Sequence, residues 1–314
     1  MLLGWNFPQP GTWANSKSLQ TYTTIGIFTI SGIILQKGEA LTALRSPIAL
    51  LYGVTSILFI TPMAALLALR FPLSPPEMTL GLAVFCCVPT TLSTCVTLST
   101  IGGGNAAVAL LLVIITNILG VFTVPATLAF VLSGVSASFN PMTLFRSLVK
   151  TVLLPLLAGV TLQAIVPGLS TWRTKNRKFL SYVSTALLCL VPWMQLSVAS
   201  STGLALTPAA VLAAALAGTA LHIVFLTMNT LVASFIRFNS DSAEQNEAVR
   251  RAVILATSQK TLPVAVAVVH QIAASSAGFA VLPCILSHLV QIAIDSTMVG
   301  IWNRNDAKRK EKVD

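Results

Sequence analysis

The sequence predicts an all-α membrane protein whose chain crosses the bilayer many times. Hydrophobic residues fill 55% of its 314 positions and charged residues only 9%, and the mean hydropathy is +0.84, which is too apolar for a soluble domain. A helix needs roughly 20 apolar residues to cross a bilayer core of about 30 Å, and continuous apolar runs favour helices over the alternating strands of a membrane barrel. Nine such runs are present, at residues 20–36, 47–69, 78–100, 105–133, 144–166, 179–200, 207–236, 249–273 and 277–302.

The net charge of +10 is explained by membrane topology rather than by nucleic-acid binding. Lys and Arg residues gather in the loops after the first, third, fifth and seventh runs and in residues 303–314, whereas the opposite side holds only Lys17, Arg70, Arg146 and Lys150. The positive-inside rule then makes the tail cytoplasmic, or stromal in a plastid. We therefore expect the lipid bilayer, and no nucleic acid, as a partner.

No pattern in the chain indicates an enzyme, a metal site or a cofactor. Zinc-ligand spacings, phosphate-binding loops and nucleophile elbows are all absent from the sequence, so the chemistry has to be sought among polar residues inside the apolar runs.

A faint internal repeat is visible. In the first half CCVPTTLSTCV is followed by IGGGN and by a long apolar run with the polar pair Thr116-Asn117. In the second half TSQKTLPVAVA is followed by ASSAG and by a long run with Ser287-His288. Transporters are commonly built from such repeats, although a nine-helix protein with a fortuitous similarity gives the same pattern.

The repeat predicts a single transporter domain over residues 1–314 with an incomplete first copy at 20–133, a second copy at 144–302 and a basic cytoplasmic tail at 303–314. An odd number of helices per copy gives the two copies opposite orientations. The second copy has five runs and the first has four, so we expect a leading helix to be missing, through a truncated gene model or a real loss. The opening stretch GWNFPQPGTWANSKS is predicted to be a loop.

Two prolines predict breaks in the third and eighth runs. Pro89 and Pro263 each lack an N–H group and crowd the carbonyl four residues earlier, and broken helices inside a bilayer are tolerated where they line a polar cavity. Matched breaks in two halves indicate a transport site, although a proline also simply kinks many membrane helices. Short polar side chains cluster at both breaks, namely Thr90, Thr91, Ser93 and Thr94 at the first and Thr257, Ser258, Gln259, Lys260 and Thr261 at the second.

Lys260 is the strongest single indication of function, because an ammonium group at the bilayer centre costs about 2.5 to 3.5 kcal/mol on insertion scales and must find partners. Asp295 is the acidic residue well inside a run, and it shares a helix face with His288 and Gln291. Asp295 either pairs with Lys260, pairs with Arg251 or lies at a surface. His288 could carry protons. The other two histidines, His222 and His270, are predicted to be hydrogen-bonded filler.

The residues around the two breaks resemble a known family. The stretches PPEMTLGLAVFCCVPTTLSTCVTLS and GGGNAAVALLLVIITNILG are similar to the fourth and fifth helices of the bile acid:sodium symporter (BASS) family. TSQKTLPVAVAVV and VLPCILSHLVQIAID resemble its ninth and tenth helices, in the variant of the plastid BASS proteins and of the seventh-member branch of solute carrier family 10.

The resemblance implies ten helices in two inverted five-helix repeats, which form a panel and a core whose fourth and ninth helices cross at their broken midpoints. The nine runs are then helices two to ten. Sodium-coupled members bind sodium with a Ser-Asn pair, a Gln-Asn pair and a Glu, and this sequence has Ser93-Thr94, Gln259-Lys260 and Leu255 at those positions. Lys260 is therefore predicted to replace a coupling cation, which leaves an ion-independent or proton-coupled carrier.

The resulting prediction is a secondary transporter of a small organic anion, with no enzymatic activity. The alternative is a non-transporting membrane regulator of calcium homeostasis, as the resemblance to the seventh-member branch implies. A plastid envelope follows from the resemblance, with a plasma membrane left open. The substrate, the choice between sodium and proton coupling and the oligomeric state are not determined by the sequence.

Overall fold

The computed structural model of the chain contains helices and no strand among the residues it describes, which confirms the predicted all-α class. Those residues are 4, 6–35, 44, 46–133, 140–201, 207–238, 242–273 and 277–311. Their helices are α1 Pro8–Ser16, α2 Leu19–Ile34, α3 Pro47–Ala68, α4a Glu77–Cys87, α4b Ser93–Ile101, α5 Ala106–Val131, α6 Pro141–Ile165, α7 Leu169–Ser201, α8 Pro208–Phe235, α9a Ala243–Ser258, α9b Leu262–Ile272 and α10 Ala277–Lys310.

Each of the nine predicted runs coincides with one of these helices or with a pair of half-helices. Seven spans are long and apolar enough to cross a membrane within the described ranges, namely α3, α5, α6, α7, α8, α9 and α10. Helix α2 has 16 residues and α4a has 11, so α4 reaches the length of a span only together with α4b. The polytopic architecture is thereby confirmed.

The opening stretch, predicted to be a loop, instead forms helix α1. Pro8 lies in its first turn, where a missing N–H group costs nothing, and the helix packs on α7. A Cβ atom at Gly11 would lie 2.1 Å from Ser197 Oγ, so the two helices meet closely there. Its sequence is short and weakly apolar, and the helix therefore depends on tertiary packing rather than on a periodic pattern.

The helices form two packing groups that also contact each other, because α7 packs on α10 and the first half of α6 packs on α5. Helices α1, α2 and α7 pack together with the second half of α6, and Gly32 of α2 lies against Gly159 of α6. Helices α3, α4, α5, α8, α9 and α10 form the other group. In that group α4a lies directly against α10, because a Cβ at Gly81 would be 1.7 Å from the carbonyl oxygen of Ala280.

Several helices begin where the sequence supplies a cap. A side-chain oxygen at the N-cap accepts a hydrogen bond from a first-turn N–H group, and this occurs at Asn105, Asn140, Thr207 and Ser242. The predicted basic tail begins inside a helix, because α10 continues to Lys310. Residues 312–314 of that tail and residues 274–276 of the predicted small-residue connection lie outside the described part of the chain.

Helix α3 changes its hydrogen-bonding pattern halfway along. Its middle is a wide π turn at Ser56–Ile60, followed by a 3₁₀ turn at Thr61–Met63 that contains Pro62. A proline interrupts the α-helical pattern of N–H donors, and an extra residue in one turn is a common way to accommodate such an interruption. This run was predicted to be an unbroken helix, so the wide turn is a difference from the prediction.

Candidate functional site at the crossing of two broken helices

The two interrupted helices meet at their breaks. Helix α4 is interrupted between Cys87 and Ser93, and α9 between Ser258 and Leu262. The N–H group of Thr261 donates a hydrogen bond of 2.9 Å to the carbonyl oxygen of Pro89. The main chains of the two breaks are therefore in direct contact inside the protein.

The two prolines occupy different positions relative to their breaks. Pro89 lies within the interruption of α4, where Val88 is extended. Pro263 lies in the first turn of α9b, so the interruption of α9 falls at Gln259–Thr261, just before the proline. A first-turn proline needs no hydrogen-bond partner for its nitrogen, which explains why the helix restarts there rather than ending at Pro263.

An amide side chain from α10 bonds the exposed backbone of the α9 break. Gln291 Oε1 accepts from the N–H of Lys260 at 3.0 Å, and Gln291 Nε2 donates to the carbonyl of Lys260 at 2.7 Å. His288 Nδ1 lies 3.3 Å from the same carbonyl and 2.9 Å from Gln291 Nε2. Because buried backbone groups need partners, Gln291 takes the place of the lost helical hydrogen bonds.

Asn117 of α5 has the corresponding role at the α4 break. Its Nδ2 atom donates to the carbonyl of Thr90 at 3.0 Å and to the carbonyl of Val113 in its own helix at 2.8 Å. Each break is thus bridged by an amide from the long helix that follows it in the chain.

The ammonium group of Lys260 points to α3. Its Nζ atom donates to Thr61 Oγ1 at 2.8 Å and to the carbonyl of Ile57 at 3.2 Å, and it lies 5.8 Å from the centre of the Phe225 ring. Only 1% of Lys260 is exposed. Within the described residues no carboxylate oxygen lies within 4.0 Å of Nζ, so the charge is solvated by neutral groups.

Asp295 has partners other than those predicted. It is fully buried, Asp295 Oδ1 lies 2.9 Å from His222 Nε2, and Asp295 Oδ2 accepts from Gln259 Nε2 at 2.7 Å. The suggested pairing with Lys260 is therefore wrong. His222, predicted to be hydrogen-bonded filler, makes its hydrogen bond to Asp295 and so lies beside the crossing. It could have been found from its spacing, because the buried residues Gly218, His222, Phe225 and Asn229 share one face of α8.

The suggested pairing of Asp295 with Arg251 is also wrong. The Arg251 guanidinium bonds Asp306 through two contacts of 2.6 and 2.8 Å, and its NH1 atom donates to the carbonyl of Gly102 at 2.9 Å. The guanidinium also lies 5.4 Å from the centre of the Trp302 ring. Arg251 therefore holds the end of α10 to the loop after α4b.

The predicted site residues separate into a buried set and an exposed pair. Thr90, Thr91, Ser258 and Thr261 are buried at the breaks. Ser93 is exposed and Thr94 partly exposed. Ser93 opens into a cleft between the two packing groups, and six polar side chains line this cleft. They are Ser31, Ser93, Thr97, Arg177, Ser181 and Ser184, around about 750 Å³ of empty space including the open mouth.

Several buried polar atoms at the crossing have no protein partner within the described ranges. Such atoms are the ones that water or a bound solute would satisfy. The atoms without a partner are Thr90 Oγ1, Asn117 Oδ1, Ser258 Oγ, Gln259 Oε1, His222 Nδ1, Ser287 Oγ and His288 Nε2.

Leu255 occupies the position at which the sodium-coupled proteins have a Glu. It is fully buried beside Leu98 and Val299 and supplies no charge.

The chain matches a transporter family over nearly its whole length. A family described as the SBF-like CPA transporter family covers residues 1–304. The chain belongs to this family of transporters. The family is of the bile acid:sodium symporter type, and its members are transporters and not enzymes. The broken helices and the buried lysine are therefore features of a transporter.

The curated relatives are plant proteins and one bacterial protein. "Probable sodium/metabolite cotransporter BASS4, chloroplastic" of Arabidopsis thaliana is 39% identical over 99% of this chain and 72% of the relative. The protein of the same name from Oryza sativa subsp. indica is 40% identical over 95% of this chain and 72% of the relative. An uncharacterized protein of Pseudomonas aeruginosa is 25% identical over 81% of this chain and 74% of its own length. These relatives give no support to the alternative of a calcium regulator.

Proposed function

We propose that this chain is a secondary carrier for a small organic anion and that it works without sodium. The observation that carries the proposal is the ammonium group of Lys260, which is buried at the crossing and bonds only neutral groups among the residues that the structure describes. A buried charge without a counter-ion creates a positive potential in a medium of low dielectric constant. An anionic solute that approaches the crossing is attracted by that potential.

Sodium independence is proposed from the residues at the family's ion positions. Lys260 occupies the second position of the Gln-Asn pair, and Leu255 occupies that of the Glu. Leu255 therefore lacks the carboxylate with which sodium-coupled members attract a cation, and Lys260 adds a cation that is fixed to the chain. The plant relatives are named sodium/metabolite cotransporters, so this chain is proposed to differ from that name in its coupling ion.

The inverted repeat and the domain limits are part of the same proposal. Asn117 bridges the α4 break from α5, and Gln291 bridges the α9 break from α10. Matched amides at matched positions support two repeat copies at 20–133 and 144–302. In this arrangement α1, α2, α6 and α7 act as the panel and the remaining helices as the core, and the core moves against the panel.

The chloroplastic relatives support a plastid envelope as the location. The basic residues 303–314 then lie on the stromal side of the membrane.

Uptake into proteoliposomes tests this function. Labelled pyruvate, malate and taurocholate represent monocarboxylates, dicarboxylates and steroid conjugates, and each is offered with an inward gradient of sodium or of choline. We expect saturable uptake of at least one anion at equal rates in both gradients. Lys260→Ala should reduce that uptake at least tenfold, whereas Lys150→Ala, which removes an exposed lysine of α6, should leave it unchanged.

Two results would contradict the proposal. Uptake that requires the sodium gradient would show that Lys260 does not replace the coupling cation. Uptake of every anion at the level of empty liposomes would argue against transport of this solute class.

A further inference from the structure

The wide turn of α3 leaves one carbonyl oxygen without a backbone donor. In this turn the N–H of Thr61 bonds the carbonyl of Ser56, five residues earlier. The next donor in the same register would be the nitrogen of Pro62, which carries no hydrogen. The carbonyl of Ile57, which is fully buried, therefore depends on Lys260 Nζ at 3.2 Å. The single hydroxyl proton of Thr61 lies 3.3 Å from this carbonyl but closer, at 2.9 Å, to the carbonyl of Ser56.

Helix α8 holds this turn in place. Asn229 Oδ1 accepts hydrogen bonds of 2.7 Å from Ser56 Oγ and from the hydroxyl group of Tyr52, and Asn229 Nδ2 donates to the carbonyl of Phe225 at 2.7 Å. Asn229 and Ser56 are fully buried. The start of the wide turn and the backbone of Phe225 are thus fixed by one side chain, so the groups facing the ammonium are preorganised.

The three groups that surround the ammonium form a cation-binding set. A carbonyl oxygen and a hydroxyl oxygen are hydrogen-bond acceptors, and an aromatic face attracts an ammonium ion within about 6 Å of its centre. None of the three carries a charge of its own, so the positive charge comes entirely from Lys260.

We propose that the wide turn of α3 and the ring of Phe225 form a receptor for a primary ammonium ion, which Lys260 occupies from α9 and which accepts a soluble alkylammonium when that side chain is shortened. A small cavity already borders Lys260 and Phe225, next to Leu221 and Gln291, and truncation of the lysine enlarges it. The inference rests on the proposed function only in treating Lys260 as the resident cation. Binding to the receptor itself does not require transport.

The test is thermal unfolding of purified Lys260→Ala during titration with propylammonium chloride. The matched solutes are 1-propanol, which lacks the charge, and sodium chloride, which lacks the alkyl chain. We expect a saturable rise in the unfolding midpoint of the variant with propylammonium alone and no saturable response of the wild type. The double variant Lys260→Ala/Thr61→Val should bind propylammonium at least tenfold more weakly, because one acceptor has been removed.

The receptor is refuted if 1-propanol stabilises Lys260→Ala as well as propylammonium does, or if the double variant binds with unchanged affinity. Should Lys260→Ala be recovered only as unfolded protein, it is extracted from membranes with propylammonium present throughout. Folded protein obtained with propylammonium and not with 1-propanol supports the receptor, and unfolded protein in both solutes counts against it. Anion uptake by the wild type is measured separately. If the wild type shows no uptake, only the proposed carrier function is contradicted. If the wild type transports an anion but Lys260→Ala does not bind propylammonium, only the receptor is contradicted.

Discussion

Replacing Gln291 by Leu removes the side chain that substitutes for helical hydrogen bonds at the α9 break. Its amide makes two bonds to Lys260, one to the N–H at 3.0 Å and one to the carbonyl at 2.7 Å. Gln291 is only 1% exposed, so the two groups that it bonds lie away from bulk water. Each buried polar group left without a partner costs about 1 to 3 kcal/mol.

The two lost bonds do not cost the same amount. The carbonyl of Lys260 keeps His288 Nδ1 at 3.3 Å, whereas its N–H has no other protein partner among those described. We therefore expect Gln291→Leu to lower the free energy of unfolding by about 2 to 4 kcal/mol. Gln291→Glu should lower it by less than Gln291→Leu does, because a carboxyl oxygen still accepts from the N–H, which is the group that has no other partner.

The assay is reversible unfolding of the purified protein in detergent, with Gln245→Leu as the matched control. Gln245 is an exposed glutamine in the first turn of α9a, and its replacement should stay within about 0.5 kcal/mol of the wild type. A Gln291→Leu variant as stable as this control would refute the bridging role of the amide. Equal losses in Gln291→Leu and Gln291→Glu would show that side-chain shape, and not the two hydrogen bonds, is what matters.

Two further predictions concern the packing and the polar network around the crossing. Gly81→Ala should cost about 1 to 3 kcal/mol in unfolding experiments, because its Cβ would lie 1.7 Å from the carbonyl oxygen of Ala280. Gly300→Ala, in open space on α10, should instead be neutral or stabilise by up to about 1 kcal/mol, and equal effects of the two changes would contradict the close contact. A double-mutant cycle of His222→Ala and Asp295→Ala should give a coupling energy of about 1.5 to 3 kcal/mol, the range for hydrogen bonds to charged groups. Additivity within about 0.5 kcal/mol would show that the 2.9 Å contact contributes nothing to stability.

The sequence predicted the fold well because apolar run length is a strong signal. Every predicted run lies on a helix, and both predicted breaks involve the clusters at Pro89 and Pro263. The position of the second break was not predictable in detail, because a proline fits the first turn of a helix as well as it interrupts one. Helix α1 was missed because a short polar segment becomes helical only through its packing on α7.

The partners of the site residues were harder to predict than the residues themselves. Lys260, Gln291 and Asn117 were identified from polarity inside apolar runs. The rotation of α8 against α10, which places His222 beside Asp295, depends on packing between helices distant in sequence. Lys260 is satisfied by the carbonyl of Ile57, and a backbone acceptor freed by an irregular turn leaves no side-chain signal in the sequence except Pro62.

Lys260 connects three helices through different parts of one residue. Its N–H and carbonyl are held by α10, and its ammonium group is held by α3, while its own backbone belongs to the α9 break. A motion that separated α3, α9 and α10 would expose a buried charge or unsatisfied backbone groups, at a cost of several kcal/mol. We therefore expect these helices to move as one body. Polar clefts beside Ser93 and beside His270 lie at the boundary of this body with α2, α6 and α7. We expect relative motion at that boundary, where it also has to shift the contact of α7 with α10.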